Sequence, residues 1–204
     1  MPTYDDTQIA NLALSNCGCG YGLIADLATD TNAEAKACRQ WYTVERDRTL
    51  ELADWRFASR SVPLAAAVTG YGDATWTYGY ALPVDVIAVR ELTSPDPTTY
   101  PAGTIIPYDL QAGDGTQRLL LTNYQGPNLR YTAQITAPSI YPPGFVDVLS
   151  WRLAAKIAMP LSLGKGMQQQ CLDQAQRALD SAYAQGAMQR KPQPVSPGYI
   201  AGRD

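Results

Sequence analysis

The chain has 204 residues, 46% of them hydrophobic and 17% charged, enough to bury one sizeable core or two small ones. A formal net charge of -3 without a basic cluster argues against a nucleic-acid groove or an anionic membrane surface as partner, because both select for clustered Lys and Arg. With no histidine anywhere, Ser-His-Asp and Cys-His catalysis, histidine acid–base pairs and His-ligated metals are all excluded.

No apolar run approaches the roughly 20 residues that span a bilayer, and the acidic start MPTYDDTQIA lacks the apolar core of a signal peptide. The expectation is a protein made in, and kept in, a cytoplasm-like compartment. Residues 3–16 carry Ile9, Leu12 and Ala13 at helical spacing, with Asp5 and Asp6 in the first turn and Gly18 just past the end. The run Gly18-Cys19-Gly20-Tyr21-Gly22 follows a helix rather than a strand and lacks the spacing of a nucleotide fingerprint, so it reads as a turn. Leu23, Ile24 and Leu27 then anchor the loop on the core.

Thr31-Asn32-Ala33-Glu34 fits a capping box that opens a long helix to about Ala53. Ala37, Trp41, Val44 and Leu52 form its inner stripe, and Glu34, Lys36, Glu45, Arg46 and Glu51 a solvated face. Arg48 falls within the stripe. It snorkels to the edge, pairs with a buried acid or reaches a partner subunit, and pairing inside the chain is favoured. Arg48 and Asp147 are accordingly the candidates for a buried or inter-subunit ion pair.

From Asp54 the pattern changes. Six β-favouring runs, 57–64, 74–81, 84–92, 104–110, 117–122 and 129–135, are separated by Gly, Pro, Asp and Asn. They predict a small antiparallel sandwich or barrel, from which a proline-rich loop over 93–103 projects. Tyr71, Trp76, Tyr78 and Tyr80 invite comparison with a sugar-binding platform, but Trp76, Tyr78 and Tyr80 share one strand face by period two and read as core or sheet cover.

Residues 143–185 hold two helical patterns joined at Pro160–Gly166. In the first, Val146, Leu149, Leu153, Ile157 and Leu161 recur three or four apart while Trp151, Ala155 and Ala158 lie on other sides. A helix so apolar belongs at the centre of a bundle. The second is one-sided, with Leu172, Ala175, Leu179 and Ala182 on one face, and lies outside the first. Cys17, Cys19, Cys38 and Cys171 all fall on or beside helices and read as reduced, partly buried thiols; Cys17-Gly-Cys19 is too tight for a zinc knuckle.

The predicted fold is thus α+β: a helical bundle of about four helices with a small antiparallel β sandwich or barrel inserted between the second and third. Residues 1–56 and 139–187 make a discontinuous helical domain, 57–138 the inserted β domain, and 188–204 an extended proline-rich tail. The carboxylates a general acid–base pair would need are limited to Asp85, Asp109 and Asp147, and no motif joins them. No catalytic, cofactor or metal site is therefore assigned.

The order of these features resembles the head-to-tail adaptor (connector) proteins of tailed bacteriophages, the tail tubular protein A-like family. The residues that carry it begin with Arg46-Asp47-Arg48-Thr49-Leu50 running into Trp55-Arg56-Phe57-Ala58, and with Tyr80-Ala81-Leu82-Pro83-Val84-Asp85 opening a strand. Tyr131, Pro142-Pro143-Gly144-Phe145, Leu149, Arg152-Leu153-Ala154 and Ile157-Ala158 follow, and the match runs over most of residues 5–187. Its specificity lies in order and spacing, not in one signature. Residues 17–22 have no counterpart and 93–116 cannot be aligned.

That resemblance implies a non-enzymatic virion protein of the neck or tail, assembled in the host cytoplasm. It implies a dodecameric ring of the chain with itself, seated under the portal protein, that extends the DNA channel and presents a platform to a downstream tail or nozzle protein. No cofactor and no membrane enter. DNA passes through the lumen without specific binding, and a net acidic wall would repel its backbone. Portal attachment would use the bundle and the tail, where Pro192, Pro194, Tyr199 and Ile200 suit docking of an extended segment. A carbohydrate-binding or tail-accessory module carried on the β domain is the alternative.

Overall fold

A computed structural model describes residues 3–20, 22–64, 68, 75–95, 104–113 and 117–188, with the backbone alone for 186–188. Four helices, α1 Asp6–Asn16, α2 Ala33–Leu52, α3 Pro143–Ile157 and α4 Gly164–Met188, flank six strands that all fall between α2 and α3 in the chain. The strands are β1 Ser59–Pro63, β2 Tyr78–Ala81, β3 Val86–Thr93, β4 Tyr108–Ala112, β5 Arg118–Thr122 and β6 Asn128–Ala133. They pair antiparallel in two three-stranded sheets, β1-β6-β3 and β2-β5-β4, so the protein is mixed α+β.

α3 occupies the centre because it is apolar on most sides and leaves only a narrow polar edge, with Asp147, Arg152 and Lys156, to water. Phe145, Val148, Leu149, Leu153, Ala154 and Ile157 are fully buried, and the helix packs on α1, α2 and α4. α4 lies outside it, burying Cys171, Ala175 and Leu179, while Leu172, expected on that inner face, is exposed at its edge. Between the two helices Ser162 takes a left-handed φ of 61° and Leu163 N–H reaches back to Ala158 O at 2.9 Å, the six-residue closure that ends a helix.

α1 opens on a capping box that the sequence reading missed. Asp5 accepts from Gln8 N–H at 2.7 Å and Gln8 accepts from Asp5 N–H at 3.1 Å. Asn11, buried on α1, clasps the loop through both backbone groups of Ile24. Ile24 and Leu27 anchor that loop as expected, whereas Leu23 is 40% exposed. At α2 the cap is Asn32, which accepts from Ala35 N–H at 2.8 Å; the predicted Thr31–Glu34 box is one residue out of register.

The inner stripe of α2 also differs from expectation. Ala37 is buried and Trp41 half-buried as expected, but the other buried residues are Ala35, Cys38, Tyr42, Glu45, Arg46, Thr49 and Leu50, whereas Val44 and Leu52 are exposed. The displacement has a physical cause. Polar residues with partners inside the protein hold the buried positions, with Thr49 donating its hydroxyl to Glu45 O at 2.6 Å.

Tyr80 and Leu120 of one sheet, Val86, Leu129 and Tyr131 of the other, and the helical side chains belong to one continuous core. Leu119 and Leu121 are buried on the other face of β5, as alternation along a strand requires.

Candidate functional site

The last turn of an α-helix leaves four carbonyls without intrahelical donors. At the C-terminus of α2 three side chains supply them, Arg90 and Tyr183 from distant parts of the chain and Trp55 from just past the helix end. Arg90 on β3 donates through Nη2 to Leu50 O, Glu51 O and Ala53 O at 3.2, 2.9 and 2.7 Å, with its Nε held on Thr132 Oγ1 at 2.8 Å. Trp55 Nε1 donates to Thr49 O at 2.7 Å, and Tyr183 on α4 donates its hydroxyl to Leu52 O at 2.9 Å. A cation at a helix C-terminus also complements the macrodipole, so Arg90 joins sheet and helix by charge as well as by geometry.

Beside this joint lies an aromatic cluster. Phe145 packs edge-on against Trp55 and Phe57 with ring centres 5.1 Å away in each case, and against Tyr141 at 4.8 Å. Tyr141 donates its hydroxyl to Ile135 O. The segments 55–58 and 142–145, which enter and leave the stretch of strands, thus meet in space. Gln134, just past the end of β6, donates to Asp47 on α2 at 2.8 Å, and Arg130 on β6 binds Asp54 and Glu91.

Charge is concentrated at Glu45. Its side chain is fully buried, yet three cations reach it: Arg152 on α3 at 2.9 Å, Arg48 at 3.2 Å and Lys156 at 3.9 Å. Lys156 also lies 5.6 Å from the Trp41 ring centre. The buried partner anticipated for Arg48 is Glu45, three residues earlier on the same helix. Asp147 is exposed on α3, and burial of part of its surface raises its carboxyl pKa. Arg48 and Asp147 share no ion pair within the chain among the described residues.

The three carboxylates considered for acid–base work have separate surroundings. Asp85 accepts from Arg60 at 2.9 Å and from the Tyr131 hydroxyl at 3.1 Å, and Asp109 accepts from Leu110 N–H. Tyr80 is buried, donates to Tyr124 O and accepts from Gly126 N–H, so it offers no face to a sugar; Tyr71 lies outside the described residues. So do Pro192, Pro194, Tyr199 and Ile200.

All four cysteines are free thiols, with Cys17 Sγ and Cys19 Sγ 3.7 Å apart. Among the described residues no group of Cys, Asp or Glu is placed to hold a metal ion, and no helix is long and apolar enough to cross a membrane. The helix-capping role of Arg90 and the burial of Glu45 were not read from sequence. An Arg within an apolar strand, and a Glu among the other charged residues of α2 whose partner Arg152 lies on α3, carry no local signature.

The chain matches no protein-family model and no curated protein.

Proposed function

We propose that this protein is a ring-forming structural adaptor that joins the portal of a tailed-phage head to its tail, with no catalytic step. The observation that supports this reading is the convergence of the residues that carry the family resemblance. Trp55 and Phe57 from one matching segment close on Phe145 from another, and Arg152 from a third reaches Glu45, next to Arg46-Asp47-Arg48. Segments far apart in the chain that meet in one joint are what a shared architecture would preserve.

An adaptor must hold its stacking elements at fixed angles while DNA moves through the ring. The capping of α2 by Arg90, Trp55 and Tyr183 ties helices to strands without a flexible hinge at that point. In this reading the helices and the chain beyond residue 188 meet the portal, the strands face neighbours or the next tail component, and the net charge of -3 keeps the channel from holding DNA.

The reading is tested by sedimenting the protein with the portal ring of the same phage. Co-sedimentation that survives moderate salt is expected. Failure to co-sediment, together with selective binding on a glycan array, would transfer the function to a sugar-binding module.

A further inference from the structure

Two opposite flanks of α2 carry opposite charge. On one, Arg39, Tyr42 and Thr43 face Asp5 and Asp6 at the start of α1 and Asp26 in the following loop, around a cavity of about 440 Å³. Three carboxylates against one guanidinium leave that cavity with two net negative charges. Arg39 is already engaged, donating to Ala28 O and, at 2.7 Å, to Asp30 O. Asp5 and Asp26 accept from backbone N–H groups but pair with no cation within salt-bridge distance among the described residues. The Tyr42 hydroxyl, on a side chain only 5% exposed, borders this cavity, and burial together with the neighbouring Asp6 raises its pKa.

Arg48 and Leu52 lie nine residues after Arg39 and Thr43, about two and a half turns along the same helix, and so project to the other side. There Arg48, Arg152 and Lys156 surround the single carboxylate of Glu45, leaving two net positive charges. Arg48 is half exposed, and Val44, Leu52 and Leu172 stand at 41%, 44% and 40% exposure near it. A groove of about 180 Å³ runs between Leu52, Arg152 and Leu172.

We infer that these two flanks are the two halves of a head-to-tail contact between copies of this chain, the Arg48/Lys156 flank of one copy docking on the Asp5/Asp6/Asp26 cavity of the next. This rests on the ring-forming reading above. The excesses are equal and opposite, and electrostatic complementarity of this kind selects partner and register. The placement on opposite sides of one helix makes the contact heterologous, not two-fold, so every copy keeps one free half and the series continues until it closes. Apolar rims on the basic flank supply the desolvated area that charge alone would not. A second copy fits better than DNA, because two positive charges next to a buried carboxylate make a weak phosphate track.

The experiment compares self-association of four samples by sedimentation, alone and with the portal ring present: the unmodified chain, Arg48→Glu/Lys156→Glu, Asp6→Lys/Thr43→Lys, and an equimolar mixture of the two variants. Each variant has two flanks of one sign and should associate at least about tenfold more weakly than the unmodified chain, while the mixture should recover most of the loss. Circular dichroism checks the fold, and Arg48→Gln, which removes one charge from a half-exposed site, serves if the first double variant unfolds; it should weaken association and its salt dependence together. If the unmodified chain forms rings and the variants do so equally well, the contact lies elsewhere and the ring reading stands. If the unmodified chain stays monomeric alone and on the portal, both fall. Binding of a DNA duplex that Arg48→Gln abolishes would reassign the basic flank to phosphate and overturn the inference.

Discussion

Arg152 on α3 and Glu45 on α2 close a two-point contact across the helical layer: Nη2 and Nε lie 2.9 and 3.1 Å from the same carboxylate oxygen. Glu45 has no exposed surface, so its charge is tolerable only while paired. Arg152→Ala should therefore cost about 3 kcal/mol, against under about 1 kcal/mol for Arg48→Ala, whose side chain is half in water. Urea unfolding of the two variants gives the order. Equal losses would mean that the three cations share Glu45 evenly.

Leu153 is fully buried at the centre of α3. Leu153→Ala should destabilise the protein by about 2 to 5 kcal/mol, the range for a large core side chain that leaves a cavity. A loss below about 1 kcal/mol by thermal unfolding would place α3 at the periphery.

Arg90 satisfies three carbonyls at the end of α2. Arg90→Met keeps the unbranched stem out to about the Nε position and removes every donor, so it should cost about 1 to 3 kcal/mol and raise hydrogen exchange of amides in the last turn of α2 and in β3 first. A uniform rise across the molecule would show that the joint contributes only to global stability.

Burial pushes the Cys17 and Cys38 thiols up to about 12, with the neighbouring Cys19 adding to both. A folded-state pKa raised above the unfolded one means that the unfolded chain releases its protons first as pH rises. Stability is thus full below about pH 8.5, where both states are protonated, and falls between there and about pH 12, by roughly 1.4 kcal/mol per pH unit for each thiol. Cys38→Ala should flatten that decline, measured as urea midpoint against pH. Since all four cysteines are free, added reductant should leave the melting temperature unchanged at neutral pH; a drop of several degrees would indicate a disulfide.

The six strands and the central position of α3 were legible in the sequence because each rests on a local pattern: β-rich runs between turn residues, and a helix apolar on nearly every side. The face of α2 was not. Val44 and Leu52 look like core markers and Glu45 and Arg46 like surface, yet partners from α3 and from α2 itself reverse the assignment. Asn32 displaced Thr31 as cap for a similar reason, since its amide also reaches Leu23 O and ties the preceding loop. The opposite charges on the two flanks of α2 became visible only once α1, the loop after it and α3 were placed around that helix.

The adaptor reading is tested most directly by electron microscopy of this protein mixed with the portal ring of its phage. Side views should show an added layer coaxial with the portal, and end views an open channel with regular rotational symmetry. Portal rings that remain bare at saturating protein, with the protein itself folded and monomeric in the same sample, would contradict it.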